Sequence, residues 1–364
     1  MWPYWAMFVF PAIAAFLGRS AWRMNGSRGA FRLRNAGWGP GWVLALLAIT
    51  LMVGYRFEVG GDWGNYFRYL EAVKDQSFAG VLALSDPGYM ILSWLSVEMG
   101  WGIYGLNLIS AVLFASGLVM FCRGLPRPWL ALAVSMPYLV LVLGMGYSRQ
   151  GVALGLAMIG LVALQRKSVL GFVVWILLGA TFHKTAVLLL PIAALSSAKN
   201  RYWTLAWVGV VTLGAYLLLL AESVDDLISS YVEADLQSEG ALVRLAMNAL
   251  PATVLLVRWR RFSFSDTEGP LWRWFAIISL VLLGILFVTP SSTVVDRIAL
   301  YMLPLQLVVF SYLPDVFGRR GGRNEGWVVL VLLYYAAVLF VWLNFATHAH
   351  YWIPYRFYPL EGAL

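Results

Sequence analysis

Ten apolar stretches, each long enough or nearly so to cross about 30 Å of hydrocarbon, dominate this sequence. They lie at roughly 2–18, 38–55, 100–121, 129–146, 150–165, 203–221, 243–257, 271–289, 295–313 and 327–345. Lipid offers no hydrogen bonds, so a chain that crosses it must pair its own backbone, and runs of this length do so as helices. Two shorter runs, 169–182 and 185–197, flank His183 and Lys184 and predict a short helical hairpin. The expectation is an all-α polytopic membrane protein with about 12 transmembrane helices, the hairpin included, forming a single transmembrane domain over residues 1–364.

Composition agrees with that reading. The chain is 61% hydrophobic and 12% charged, whereas soluble domains carry about 25% charged residues. Its 18 Trp and 18 Tyr suit a protein with two membrane interfaces. The first segment, MWPYWAMFVFPAIAAFLGRS, has no positive start and no small-residue cleavage site before Arg19, which predicts a retained helix rather than a signal peptide. A single cysteine, Cys122, excludes a disulfide or a cysteine-built metal site within one chain. With three histidines (His183, His348 and His350), no metal and no cofactor are expected.

Orientation follows from Lys and Arg, which collect on the cytoplasmic side. If the Arg19–Arg34 loop is inside, the basic groups at 123/127, 166/167, 199/201, 258–261 and 319–323 fall on the same side. With Arg273, that side holds 18 of the 26 basic residues and four of the 18 acidic ones. Reading 169–197 as one span would scatter this pattern, so the hairpin is preferred and both termini face outward. The net charge of +8 is therefore a topology signal. No basic stripe with interleaved aromatics remains to bind nucleic acid.

The inner loops are short, Arg-rich and look like connectors. The outer segments are longer, at about 56–99, 222–242 and the tail 346–364. Within the first, the apolar piece 87–100 is too short to span and predicts a half-helix over 87–98, entered through an N-cap at Asp86 and a helix-starting Pro87.

Ionisable residues gather at outer helix ends, where charge is costly and usually faces a cavity. Arg56, Glu58, Asp62 and Tyr66 follow the second run closely. Arg56 can also be read as snorkelling to the interface. Arg149 opens a helix at an outer boundary, which topology does not explain. His183 and Lys184 sit at the hairpin tip, where a near-neutral imidazole suits general base work, anion binding or a purely structural hydrogen bond. Asp296 and Arg297 either pair with each other or cap a helix, and Arg297 shares a face with Tyr301, four residues on. Arg356 lies in an aromatic tail that serves equally as interfacial belt or substrate contact. Guanidinium groups capture phosphate oxygens in pairs, and outer aromatics stack on sugar rings. This set fits a ligand with a lipid tail, a diphosphate and a glycan.

In their order and spacing, several pieces resemble the EpsG/Wzy-like family of exopolysaccharide (O-antigen type) polymerases. They are RFEVGGDWGNYFRYL (56–70), DPGYMILSWL (86–95), SRQGVALGLAM (148–158), ATFHKTAVLLLP (180–191) and DRIALYML (296–303). The resemblance implies a GT-C-like, metal-independent glycosyltransferase of the cytoplasmic membrane whose active site faces the periplasm. It would move a growing glycan from undecaprenyl diphosphate to the next lipid-linked repeat unit, in a pathway with a flippase and a chain-length regulator. Carried over, Arg56, Asp62, Arg149, His183 and Arg297 form the site. Arg149 and Arg297 would stabilise the leaving diphosphate, and Asp62 or His183 would be the base. Asp62 would serve equally well as a sugar-binding carboxylate. Lys184, Tyr66, Tyr301 and Arg356 are the further expected substrate contacts. The rivals are another lipid-dependent transferase, an O-acyltransferase or ligase, and a lipid-linked oligosaccharide flippase or other transporter. The first would be expected to draw its donor from the inner side, where no histidine occurs. The second would thread polar residues through the bilayer depth.

Overall fold

Four of the described helices begin on a proline, a residue whose fixed φ suits the first turn and whose missing N–H costs nothing there. The computed structural model describes residues 1–25, 30–33, 37–192, 201–219, 238, 240–289 and 291–361. In chain order these form α1 (Trp2–Leu17), α2 (Pro40–Gly54), α3 (Trp63–Val73), α4 (Phe78–Leu82), α5 (Pro87–Glu98), α6 (Gly102–Arg123), α7 (Pro128–Ser135) and α8 (Ser148–Gln165). Then follow α9 (Val169–Ala180), α10 (Arg201–Leu219), α11 (Ala241–Val257), α12 (Glu268–Leu286), α13 (Ser292–Ala299), α14 (Pro304–Phe317), α15 (Glu325–Phe345) and α16 (Tyr358–Glu361). A small antiparallel ribbon, Trp22–Asn25 against Ala30–Leu33, is the exception to helix among the described residues.

By length and apolarity, α6, α8, α12 and α15 are each able to cross a membrane, and Ser292–Met302 with Pro304–Phe317 makes a fifth span bent by 45°. Six further apolar helices or helical stretches are shorter, at 10–17 residues, among the described residues. The protein is thus a helical membrane protein with four to five candidate spans. The expected outer loop 222–242 lies almost wholly outside the described residues, as do Lys199 and the end of the run 185–197.

The centre of the bundle is set by close backbone approach. A Cβ added at Gly155 would come within 2.7 Å of the Phe114 Cα, and one at Gly117 would strike the Gly155 carbonyl. Small residues are what allow α6 and α8 to meet backbone to backbone. Beyond α7 the chain winds more widely, in π fashion, over Met136–Gly144. Pro137 lacks the N–H that an α-turn there would use.

Three findings correct the expectations. First, the second arm of the hairpin is not an α-helix at its start but a 3-10 helix, Lys184–Leu189. Second, the loop after α6, expected as an inner connector, does more than connect. Arg127 holds Asp315 through two bonds of 3.1 Å and also donates to the carbonyls of Gly322 (2.7 Å) and Arg323 (3.0 Å), while Ser20 donates to the same carboxylate. This buried clasp ties the chain after α1 to the loops before α7 and after α14. Third, polar groups are not confined to helix ends. Gln306 donates to Asn248 at 2.6 Å and accepts from Tyr335 at 2.7 Å, and Asn248 donates to the Ala299 carbonyl. These side chains join α11, α14 and α15 and satisfy one another, as buried polar groups in lipid must.

Candidate functional site

The C-terminal end of α2 and the N-terminal ends of α6 and α8 are joined by one side chain. Arg56 is fully buried, at 0% exposure. Its Nη2 donates to Asn107 (3.1 Å) and Ser148 (2.9 Å), its Nε to the Val59 carbonyl (3.1 Å), and its Nη1 to the Val53 carbonyl. The rings of Trp63 and Tyr66 lie 5.8 and 5.6 Å from the guanidinium carbon. Tyr66, also buried, accepts from the Ser148 N–H (3.1 Å) and donates to the Gly146 carbonyl (3.4 Å). Arg56 and Tyr66 therefore fix where α8 begins.

One residue further on, Arg149 is presented at the first turn of α8. Its side chain is 29% exposed and its Nη1 lies 2.7 Å from Asp86 Oδ2, a carboxylate only 5% exposed. The Tyr69 ring stacks under the same guanidinium at 4.6 Å. Asp86 stands at the N-cap position of α5, but its side chain caps nothing there. It is turned instead to Arg149 and to the Lys184 N–H, at 3.3 Å. A charged partner outcompetes a backbone cap. Asp86 takes a left-handed backbone conformation (φ 56°), which Asp tolerates better than most residues. The following Pro-Gly docks α5 on the hairpin: the Gly88 N–H donates to the Thr181 carbonyl at 2.8 Å, and a Cβ at Gly88 would collide with Thr181. That docking carries Asp86 to the hairpin tip.

At the tip, His183 Nδ1 lies 2.6 Å from Thr185 Oγ1 and 3.4 Å from the Tyr301 hydroxyl. Arg297 is reached from α8, where Gln150 donates to its carbonyl at 2.7 Å. Asp296 does not pair with Arg297. It is gripped by Arg244 of α11 through bonds of 2.6 and 2.7 Å, and by Ser238 at 2.9 Å. Arg356 stands apart, 2.8 Å from Glu58 on the exposed rim, where the tail pairs with the chain around Arg56.

Electrostatic shifts relate the remaining groups to one another. Burial raises the Asp62 carboxyl above its ordinary range, against the pull of an Asn65 hydrogen bond and of Arg149, Arg297 and Arg56. Burial likewise raises Asp86, against Arg149 and Lys184. The His183 imidazole is lowered, first by burial and then by Arg149, Arg297 and Lys184. Arg149 and Arg297 are thus cations that bear on both Asp62 and His183. Asp86, Tyr69, Gln150, Thr185 and Arg244 enter the site region without having been singled out from the sequence as site residues. The signal available for Asp86 was an acid before Pro-Gly in the loop facing an unexplained outer Arg149. Tyr89 was legible only as part of its motif, and its buried hydroxyl has no hydrogen-bond partner among the described residues.

The order of these elements can be compared with known proteins. Comparisons with curated proteins and with solved structures each find no match. A sequence model described as the EpsG family matches residues 41–357, a range that holds every site residue discussed above. The match covers most of the chain and runs from α2 to the tail, so this protein belongs to the EpsG family.

Proposed function

We propose that the protein is a polysaccharide polymerase, a metal-independent glycosyltransferase that takes its glycan from a lipid diphosphate. The observation that carries this reading is Arg149, paired with Asp86 yet 29% exposed, next to the hairpin tip where Asp86 also takes the Lys184 N–H and Tyr301 reaches His183; Arg297 bears electrostatically on the same His183 and on Asp62. Two guanidinium groups suit the charge that develops on a departing diphosphate. In the reaction, the acceptor hydroxyl oxygen bonds to the donor's anomeric carbon and its proton passes to Asp62. The bond from that carbon to the diphosphate oxygen breaks, and the lipid diphosphate leaves with the electron pair. Asp62 is assigned as base because its raised affinity for protons brings it closer to working pH. His183 stays neutral and orients a substrate hydroxyl or phosphate. Lys184 and Tyr301 line the same space. Arg56 and Tyr66 are positioning residues, since their polar atoms are engaged by protein. Arg356 sits at the rim as a glycan contact.

The fuller reading has undecaprenyl diphosphate as the carrier and about 12 transmembrane helices, the short hairpin included, in a GT-C-like arrangement. Both termini and the site face the periplasm across the inner membrane, with a flippase and a chain-length regulator as pathway partners. The self-satisfied Asn248–Gln306–Tyr335 network weighs against the transporter reading, because its groups face one another rather than a conduit. The test is complementation of a polymerase-deficient strain, with lipid-linked intermediates analysed. Variants Arg149→Ala and Arg297→Ala, made at wild-type protein level, should lose polymer and accumulate single lipid-linked repeats. Polymer of normal amount and length from both variants would overturn the assignment.

A further inference from the structure

The chain after α15 returns to the loop between α2 and α3 and is stitched to it. The Phe57 N–H donates to the Arg356 carbonyl (3.0 Å), the Gly60 N–H to the Tyr351 carbonyl (2.9 Å) and the Tyr358 N–H to the Tyr55 carbonyl (2.9 Å). Within this strap Trp352 is 3% exposed, whereas its neighbour Tyr351 is 47% exposed. An interfacial Trp anchors a protein by lying at the headgroup level, so such burial gives Trp352 a different duty. Its indole N–H donates to the Leu141 carbonyl (2.9 Å), its own carbonyl accepts from the Tyr4 hydroxyl (2.6 Å), and its ring meets Trp342 edge-on at 4.9 Å.

The indole fills a slot that glycines leave open. A Cβ added at Gly146 would stand 2.7 Å from the six-membered ring of Trp352, and one at Gly61 would stand 4.0 Å from it. Gly60, at φ 105°, brings its backbone onto the Met145 carbonyl, where a Cβ would collide. Two backbone segments therefore meet here, and one side chain packs on both. Asp62 directly follows the first segment, and Arg149 follows the second after Tyr147 and Ser148. We infer that Trp352 is a positioning residue for the proposed transfer, setting how the Asp62 loop stands against the start of α8 and so against Arg149. The inference rests on the proposed function for the roles of Asp62 and Arg149, whereas the slot itself does not depend on that reading. A misplacement of about 1 Å between reacting groups can cost about 10²-fold in rate, so a ring at this junction governs turnover.

The test uses the purified full chain, with extension of a lipid-diphosphate-linked oligosaccharide as one readout and backbone hydrogen exchange as the other. Trp352→Ala should speed exchange in 58–66 and 143–150. It should lower kcat by about 10²-fold with KM for the lipid-linked repeat unchanged, the mark of lost alignment rather than lost binding. Gly146→Ala pushes the ring from the other side and should lower kcat in the same way. Adding Trp352→Phe to Gly146→Ala shortens the ring, and the pair should turn over faster than Gly146→Ala alone, because residues in contact do not add independently. Tyr355→Phe removes the tail's bond to the Met52 carbonyl (2.8 Å) away from the slot, and should lower the unfolding temperature while leaving kcat unchanged. Unchanged kcat in Trp352→Ala, a change confined to KM, a double variant no faster than Gly146→Ala, or an equal loss of kcat in Tyr355→Phe would each overturn the inference. Should Trp352→Ala not fold, the Gly146→Ala pair decides. Wild-type protein that extends nothing would sink the polymerase reading instead, and exchange then decides the slot alone: unchanged rates in Trp352→Ala overturn it.

Discussion

Arg56 and Arg149 both stand at helix ends, yet their surroundings differ. Arg56 spends its donors on protein acceptors at zero exposure, whereas Arg149 keeps part of its fork toward the site. Arg149→Ala should lower activity by about 10²–10³-fold, the loss typical of one donor to developing negative charge, with protein yield unchanged. Arg149→Lys should recover little, since a point charge does not replace a planar fork; near-wild-type turnover in the Lys variant would count against phosphate capture. The pH profile separates the two base candidates. A base works when deprotonated, so activity should fall as pH drops through the Asp62 pKa, which burial has moved above the ordinary value of about 3.9. His183, shifted the other way, should contribute no step near about 6.5. Removal of the acid limb by Asp62→Asn, with residual activity down about 10²–10⁴-fold, is the expected result, and an unchanged limb would return the role to another group. At the rim, Arg356 and Glu58 are 40% and 52% exposed, so Arg356→Ala should cost less than about 1 kcal/mol of stability, read as a thermal shift.

At the scale of elements, the helices were more legible than their ends. Apolar run length marks a helix because each residue adds the same requirement, and the Asp-Pro-Gly start of α5 carries its own turn chemistry. The 3-10 winding after His183 and the π winding around Pro137 were not legible as such, because apolar runs mark a helix without marking its pitch. Nor did the sequence reveal that Asp86 would leave its cap for Arg149, a choice made by a residue 63 positions away. The buried Asn248–Gln306–Tyr335 link is a similar case, since single polar residues in apolar runs do not name their partners. Gln306→Leu should strand Asn248 and Tyr335 and lower stability by about 1–2 kcal/mol, measured as a reduced unfolding temperature in detergent. Gly155→Leu should be worse, since it forces α6 and α8 apart where a Cβ has no room. An unfolding temperature equal to wild type in either variant would contradict the packing described.

For the whole molecule, α6 separates two polar clusters: Arg56 meets Asn107 near its start, and the Arg127–Asp315 clasp follows its end; the proposed reading puts the first of these outside. A cysteine introduced as Asp75→Cys should react with a membrane-impermeant maleimide from outside intact cells, with Cys122 silent because it is buried. The central claim is that these helix ends transfer glycan from one lipid diphosphate to another. Its most direct measurement uses purified protein with a short lipid-diphosphate-linked oligosaccharide as sole substrate, in EDTA and without nucleotide sugar. The account predicts a ladder of products longer by whole repeat units, absent in Arg149→Ala. Folded protein that yields no ladder from its native repeat unit would contradict it.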